Sequence, residues 1–179
     1  DIDLGGNPFT PIGTQSGYSS VYPYQGSFDG QGHTITGLNV SAQYAGLFGV
    51  IQDAEIKNVI VQGTVTSSSG DAGGIVGRAI GTANTITNCG NEANVSGGYN
   101  TGSVSAKDRA AGIVARFNGS SSSITLSNCY NTGNIHSESY ATGIYASSGA
   151  TISNAYTTGT ISGKDASSTG AFTTGSYDT

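Results

Sequence analysis

The sequence predicts an all-β fold, a right-handed parallel β-helix. Three observations predict it. First, three short segments recur in the same order: a Gly-hydrophobic-hydrophobic-Gly/Ala segment, an Ile-x-Asn segment and a Gly-x-Val/Ile segment. The best copy reads GIVG at 74–77, TITNC at 85–89 and ANVS at 93–96. Self-similarity at a period of roughly 20–50 residues marks a solenoid or array. Second, the repeated units are short, β-branched and alternating, as at Thr85, Ile86 and Thr87 or Thr64, Val65 and Thr66, which is strand chemistry. Third, Gly, Asn and Ser interrupt them every few residues, so helical periodicity is never sustained over about ten residues. Three strands joined by turns make a triangular coil. Stacked coils set equivalent strands side by side at ~4.8 Å, and about six coils would form a body ~30 Å long.

Composition bounds the remaining possibilities. At 179 residues the chain suits one domain with a real core. Charged residues are 9% of it, against roughly 25% in ordinary globular chains. Such a polar chain, with 29 glycines, would suit disorder if Ile and Val did not return at fixed places. A net charge of −5, with Lys57, Arg78, Lys107, Arg109, Arg116 and Lys164 scattered along the chain, argues against a nucleic-acid partner. No apolar run approaches membrane-spanning length, and no signal peptide opens the chain. The pattern is already under way at Asp1, which reads as a mature or excised piece of something larger.

Residues 1–27 hold all three prolines (Pro8, Pro11, Pro23) and the exposed-looking aromatics Phe9, Tyr18, Tyr22 and Tyr24. Repeat stacks need an end that closes the core against water, so this stretch is assigned as an N-terminal cap or entry segment. Residues 28–179 are assigned as the repeats. The Gly-hydrophobic segment recurs at 46–49, 74–77, 112–115 and 143–146, with a degraded copy at 170–173. The Ile-x-Asn segment recurs at 56–58, 86–88, 126–128 and 152–154, with a partial copy at 35–37. The Gly-x-Val/Ile segment recurs at 63–65, 93–95, 133–135 and 159–161.

Stacking turns these positions into columns. Ile35, Ile56, Ile86, Leu126 and Ile152 are expected to form one interior column; Val65, Val95, Ile135 and Ile161 a second; Leu47, Ile75, Ile113 and Ile144 a third. Asn58, Asn88, Asn128 and Asn154 lie two residues after the first column. They are expected at a bend, their amides bonded along the stack as an internal Asn ladder, because an amide both donates and accepts. Asn is also an ordinary turn former, which fits the same place.

Residues 28–38 (FDGQGHTITGL), 44–49 (YAGLFG), 74–77 (GIVG), 128–133 (NCYNTG) and 154–159 (NAYTTG) resemble GLUG repeats, and the resemblance runs from about Pro8 to Gly170. Such repeats occur in large bacterial surface and secreted proteins, including adhesin-like proteins and IgA-cleaving metallopeptidases. The resemblance implies a surface-exposed β-helical module at the bacterial cell surface and no catalytic residue. The His-Glu-x-x-His zinc motif of the metallopeptidases is missing from this sequence, so that activity does not carry over.

The chemistry-bearing residues fit a non-catalytic module without cofactor. His33 and His136 fall in different columns, whereas zinc wants three or four converging ligands. Asp71, Asp108, Glu138 and Asp165 fall in one inter-strand loop of successive repeats. They form either an acidic corner for Ca²⁺ or a merely solvated set of carboxylates. A carbohydrate-active β-helix, the runner-up, needs paired carboxylates against the sugar, and the acids do not stack outward in adjacent coils. The outward Thr and Ser grids suggest a third reading, an ice-binding solenoid. Glu55, Lys57 and His136 interrupt those grids, and Thr is an ordinary exposed strand residue.

Adhesion to a glycan or a protein is the favoured reading. Tyr130 and Tyr156 share an outward column with Ile60 and Gly90. The long loop 97–109 carries Tyr99, Lys107, Asp108 and Arg109. Aromatic rings stack on sugars and anchor interfaces, and loop insertions in solenoids map to binding faces. Cys89 and Cys129 share a column in neighbouring coils. Parallel in-register side chains resist the disulfide torsion, which favours free, buried thiols.

Overall fold

A computed structural model of the chain describes residues 1–16, 20–92, 94–97, 109–118, 123–147 and 149–167. Among these the fold is all-β, with parallel strands stacked as a β-solenoid of about four turns. The first turn holds Ser27–Ser41, Tyr44–Ala45 and Phe48–Gln52. The second holds Glu55–Ser67, Asp71–Gly73 and Val76–Ile80. The third runs from Ala83–Thr87 to Val114–Asn118, and the fourth contains Ser123–Asn131 and Ile135–Thr142. Ala150–Thr157 and Ile161–Ser167 begin a further turn. One 13-stranded sheet follows the corner of the coil, and a 3-stranded sheet of Phe48–Gln52, Val76–Ile80 and Val114–Asn118 closes another side.

The expectation of about six coils overcounts. Ile35 does not open a coil of its own; it lies in the same turn as Phe28. The column is Phe28, Ile56, Ile86, Leu126 and Ile152, while Ile35 pairs with Val61 and Ile2. The cause is local. Between Asp29 and His33 the ladder breaks register against Lys57 and Val59. Gln31 and Gly32, with φ of 54° and 80°, loop the extra residues out. The copy at 170–173 lies outside the described residues. The rise is therefore nearer ~20 Å than ~30 Å.

The other two columns are continuous. Val40, Val65, Val95, Ile135 and Ile161 are in register. Leu47, Ile75, Ile113 and Ile144 are all buried, each preceding a residue of the Phe48, Val76, Val114 and Tyr145 register. Burying each such side chain contributes roughly 1.5–3 kcal/mol. No coil could bury its own apolar face without the coils above and below.

The N-terminal segment lies against the first turn through parallel bridges at Ile2–Ile35, Pro8–Asn39, Ile12–Phe48 and Tyr24–Ile51. Two of its supposedly exposed aromatics are half-buried against the core. Phe9 packs on it, and Tyr24 meets Phe48 at 5.1 Å between ring centroids. Tyr22 is exposed, and Tyr18 lies outside the described residues.

The Asn ladder is present, on the outside of the corner rather than inside. Asn58, Asn88, Asn128 and Asn154 have φ between 48° and 55°. Asn occupies that left-handed region more readily than other side-chain-bearing residues. This backbone turns the strand sharply and leaves Asn88, Asn128 and Asn154 exposed. A second, buried amide column stands three residues on. Asn91 Nδ2 donates to Asn131 Oδ1 at 2.7 Å, and Asn131 Nδ2 donates to Thr157 Oγ1 and Gly133 O at 2.9 Å each. This column explains the first glycine of the Gly-hydrophobic motif. A Cβ at Gly74 would overlap the Asn91 amide, and one at Gly112 would overlap Asn131.

Candidate functional site

The outward side of the Asn corner forms an open groove along the solenoid. One wall is the amide ladder. The other is the column Ile60, Gly90, Tyr130 and Tyr156, in register across four rungs. Asp29, Gln31 and Gly32 close the N-terminal end. Its largest part has a volume of about 530 Å³. A separate hollow of about 370 Å³ lies between the N-terminal segment and residues 39–44, away from the tyrosine pair.

The ladder is a head-to-tail chain. Asn154 Nδ2 donates to Asn128 Oδ1, Asn128 to Asn88 and Asn88 to Asn58, each at 3.0 Å. Asn58 Nδ2 donates to Asp29 Oδ1 at 2.9 Å. An ionised carboxylate only accepts, so Asp29 sets the direction of every amide behind it. The Asn58 amide, then the Gln31 backbone N–H, hold the Asp29 carboxyl below its usual range.

Tyr130 and Tyr156 stack with centroids 5.6 Å apart and planes 14° from parallel. Gly90 makes this possible, since a Cβ there would overlap the Tyr130 ring. The Tyr130 hydroxyl donates to Glu92 Oε1 at 3.2 Å, while Gln62 Nε2 donates to Glu92 Oε2. Burial, reinforced by the Glu92 charge, pushes the Tyr130 phenol up to about 12. The ring is thus a neutral, oriented platform. Tyr156 is 52% exposed, so its outer face stays open.

Of the residues singled out from sequence, the structure brings Tyr130 and Tyr156 together and seats the four ladder asparagines beside them. Tyr99, Lys107 and Asp108 lie outside the described residues. Arg109 belongs to a different side of the coil. It sits 5.9 Å over the Tyr140 ring, and its strand pairs with Ile135–Thr142 and Asp71–Gly73. Of the acidic set, Asp71 is turned inward, 1% exposed and 3.4 Å from Arg116, while Asp108 and the Asp165 side chain lie outside the described residues. A guanidinium beside a buried carboxylate already supplies the positive charge a cation would bring. Sequence reasoning missed Glu92, Gln62 and the Asn91–Asn131 pair. The Asn-x-x-Asn spacing at 88–91 and 128–131 was the available signal.

Other titratable groups stand apart. His33 Nδ1 lies 3.1 Å from the N-terminal amine, and His136 Nδ1 lies 2.9 Å from Ser162 Oγ. Cys89 and Cys129 are free and buried, and burial pushes their thiols up to about 12 and about 11. Among the described residues, no three His, Cys, Asp or Glu side chains converge as a metal site. Nor, among the described residues, is any helix long and apolar enough to cross a membrane.

The fold and groove define a parallel β-solenoid with an outward amide-and-aromatic face. No family model matches the chain. Halomucin of Haloquadratum walsbyi is 31% identical over 88 residues, which is 46% of this chain. The matched part spans 1% of that protein's length. No solved structure matches.

Proposed function

We propose that this chain is a non-catalytic, extracellular repeat module that spaces and adheres, holding glycan on the groove beside its Asn corner. The observation that carries the reading is the Tyr130–Tyr156 stack set next to an unbroken line of four exposed or half-buried amides. Aromatic faces bind the C–H faces of sugars, and amides bond hydroxyls in both directions. A solenoid also suits a spacer, because each coil contacts only its neighbours and length adds by repetition. The GLUG-like repeat pattern and a partial likeness to a protein with a mucin's name both support a cell-surface setting.

A glycan array probed with the whole chain and with Tyr130→Ala and Tyr156→Ala tests this. Binding to glycan that persists without turnover and is lost in both variants is the expected result. Turnover of the bound glycan, or binding indifferent to both substitutions, refutes it.

A further inference from the structure

We infer that the groove selects a neutral, linear polysaccharide lying parallel to the solenoid axis, in preference to an anionic one. This deepens the adhesion reading and rests on it.

The first argument is geometric. Asp29, Asn58, Asn88, Asn128 and Asn154 form one row along the axis. At ~4.8 Å per rung the row is ~19 Å long. A ligand that meets every rung must itself repeat along that line, as an extended polymer does and a branched or globular surface does not.

The second is a matter of valence. Each amide has two N–H groups and two carbonyl lone pairs. Within the row, Asn88 and Asn128 each spend one N–H donating and one lone pair accepting. Both side chains are exposed, so each rung still offers one donor and one acceptor to the groove. A hydroxyl matches both. A carboxylate or sulfate matches only the donor and sets its oxygens against the remaining carbonyl lone pair.

The third is charge. Asp29 closes one end and Glu92 braces the tyrosine wall, and among the described residues no Lys or Arg lines the groove. The nearest cation in sequence, Lys57, is paired with Glu55 at 3.3 Å. Lys57 also acts on Asp29, so its charge is shared between two carboxylates, and an anionic polymer would still enter a net negative field. A neutral one meets only dipoles, plus the open face of Tyr156 for its pyranose ring.

Isothermal titration of the whole chain at low ionic strength compares cellohexaose and mannohexaose with hexagalacturonate, a charged oligomer of equal length. At least one neutral oligomer should bind, with hexagalacturonate at least tenfold weaker. Asn128→Gly keeps the left-handed corner while removing one amide, and should weaken neutral binding about tenfold while lowering the melting temperature by only about 2–4 °C. Hexagalacturonate binding as tightly as the neutral oligomers overturns the inference. So does neutral binding indifferent to both Asn128→Gly and Asn88→Gly. If an anionic glycan binds and Tyr156→Ala abolishes it, adhesion stands and only this selectivity fails. If no glycan binds at all, both fall.

Discussion

The buried amide column yields the sharpest stability prediction. Asn131 is fully buried and makes three hydrogen bonds, from Asn91 Nδ2 and to Gly133 O and Thr157 Oγ1. Replacing it with Ala removes all three and takes one hydrogen bond from each of two buried groups, the Asn91 amide and the Gly133 carbonyl. Each such loss costs about 1–3 kcal/mol, and Thr157, only half-buried, can turn to water. A small void adds to the total. The sum is about 4 kcal/mol, or a fall in Tm of ~10 °C for a chain of this size. Urea titration followed by far-UV circular dichroism measures it. The control is Asn128→Gly on the exposed ladder, where water replaces the lost bonds and the cost is about 1 kcal/mol. If Asn131→Ala costs less than Asn128→Gly, or under about 1 kcal/mol, the buried column does not hold the coils together and the reasoning fails.

Three further expectations follow from the same geometry. Asp53 accepts backbone N–H bonds from Thr82 at 2.6 Å and Ala83 at 2.9 Å, which lower its pKa from 3.8, and the Asn58 amide lowers that of Asp29. Both groups therefore add stability that is complete above pH 3.8 and is lost as pH falls through their lower folded values. Asp53→Asn should flatten the acid limb of a Tm-against-pH curve from 5 to 2, whereas a curve parallel to the parent's refutes the assignment. Cys89 and Cys129, buried with thiols raised to about 12 and about 11, should react with Ellman's reagent at pH 8 only after denaturation. Rapid modification of the native chain would contradict their placement. Gly90→Ala should displace the Tyr130 ring, alter the near-UV tyrosine dichroism and weaken any glycan bound on Tyr156, all at modest cost in Tm; an unchanged near-UV spectrum counts against the stacked geometry.

Much of the architecture was legible because it is local. Alternation at Thr85, Ile86 and Thr87 and the β-branched residues at Val65 and Ile135 mark strands without knowledge of any partner. The recurrence of the same segments in the same order then forces a stack. The Tyr130–Tyr156 column was legible for the same reason, since equal offsets from Asn128 and Asn154 put both rings on one line. Ile35 was misplaced because the loop at Gln31 and Gly32 changes register without changing the local motif.

What the chain's order of residues establishes is the repeat, the strands and the columns, because those depend on spacing within one coil. What the folded solenoid alone establishes is which polar groups sit inside it and which outside. Asn88 and Asn91 are the same amide three residues apart, yet a left-handed corner turns the first to water and Gly74 opens the core to the second. That difference comes from backbone direction at one residue and from the space left by another in a neighbouring strand, neither of which spacing along a single coil records.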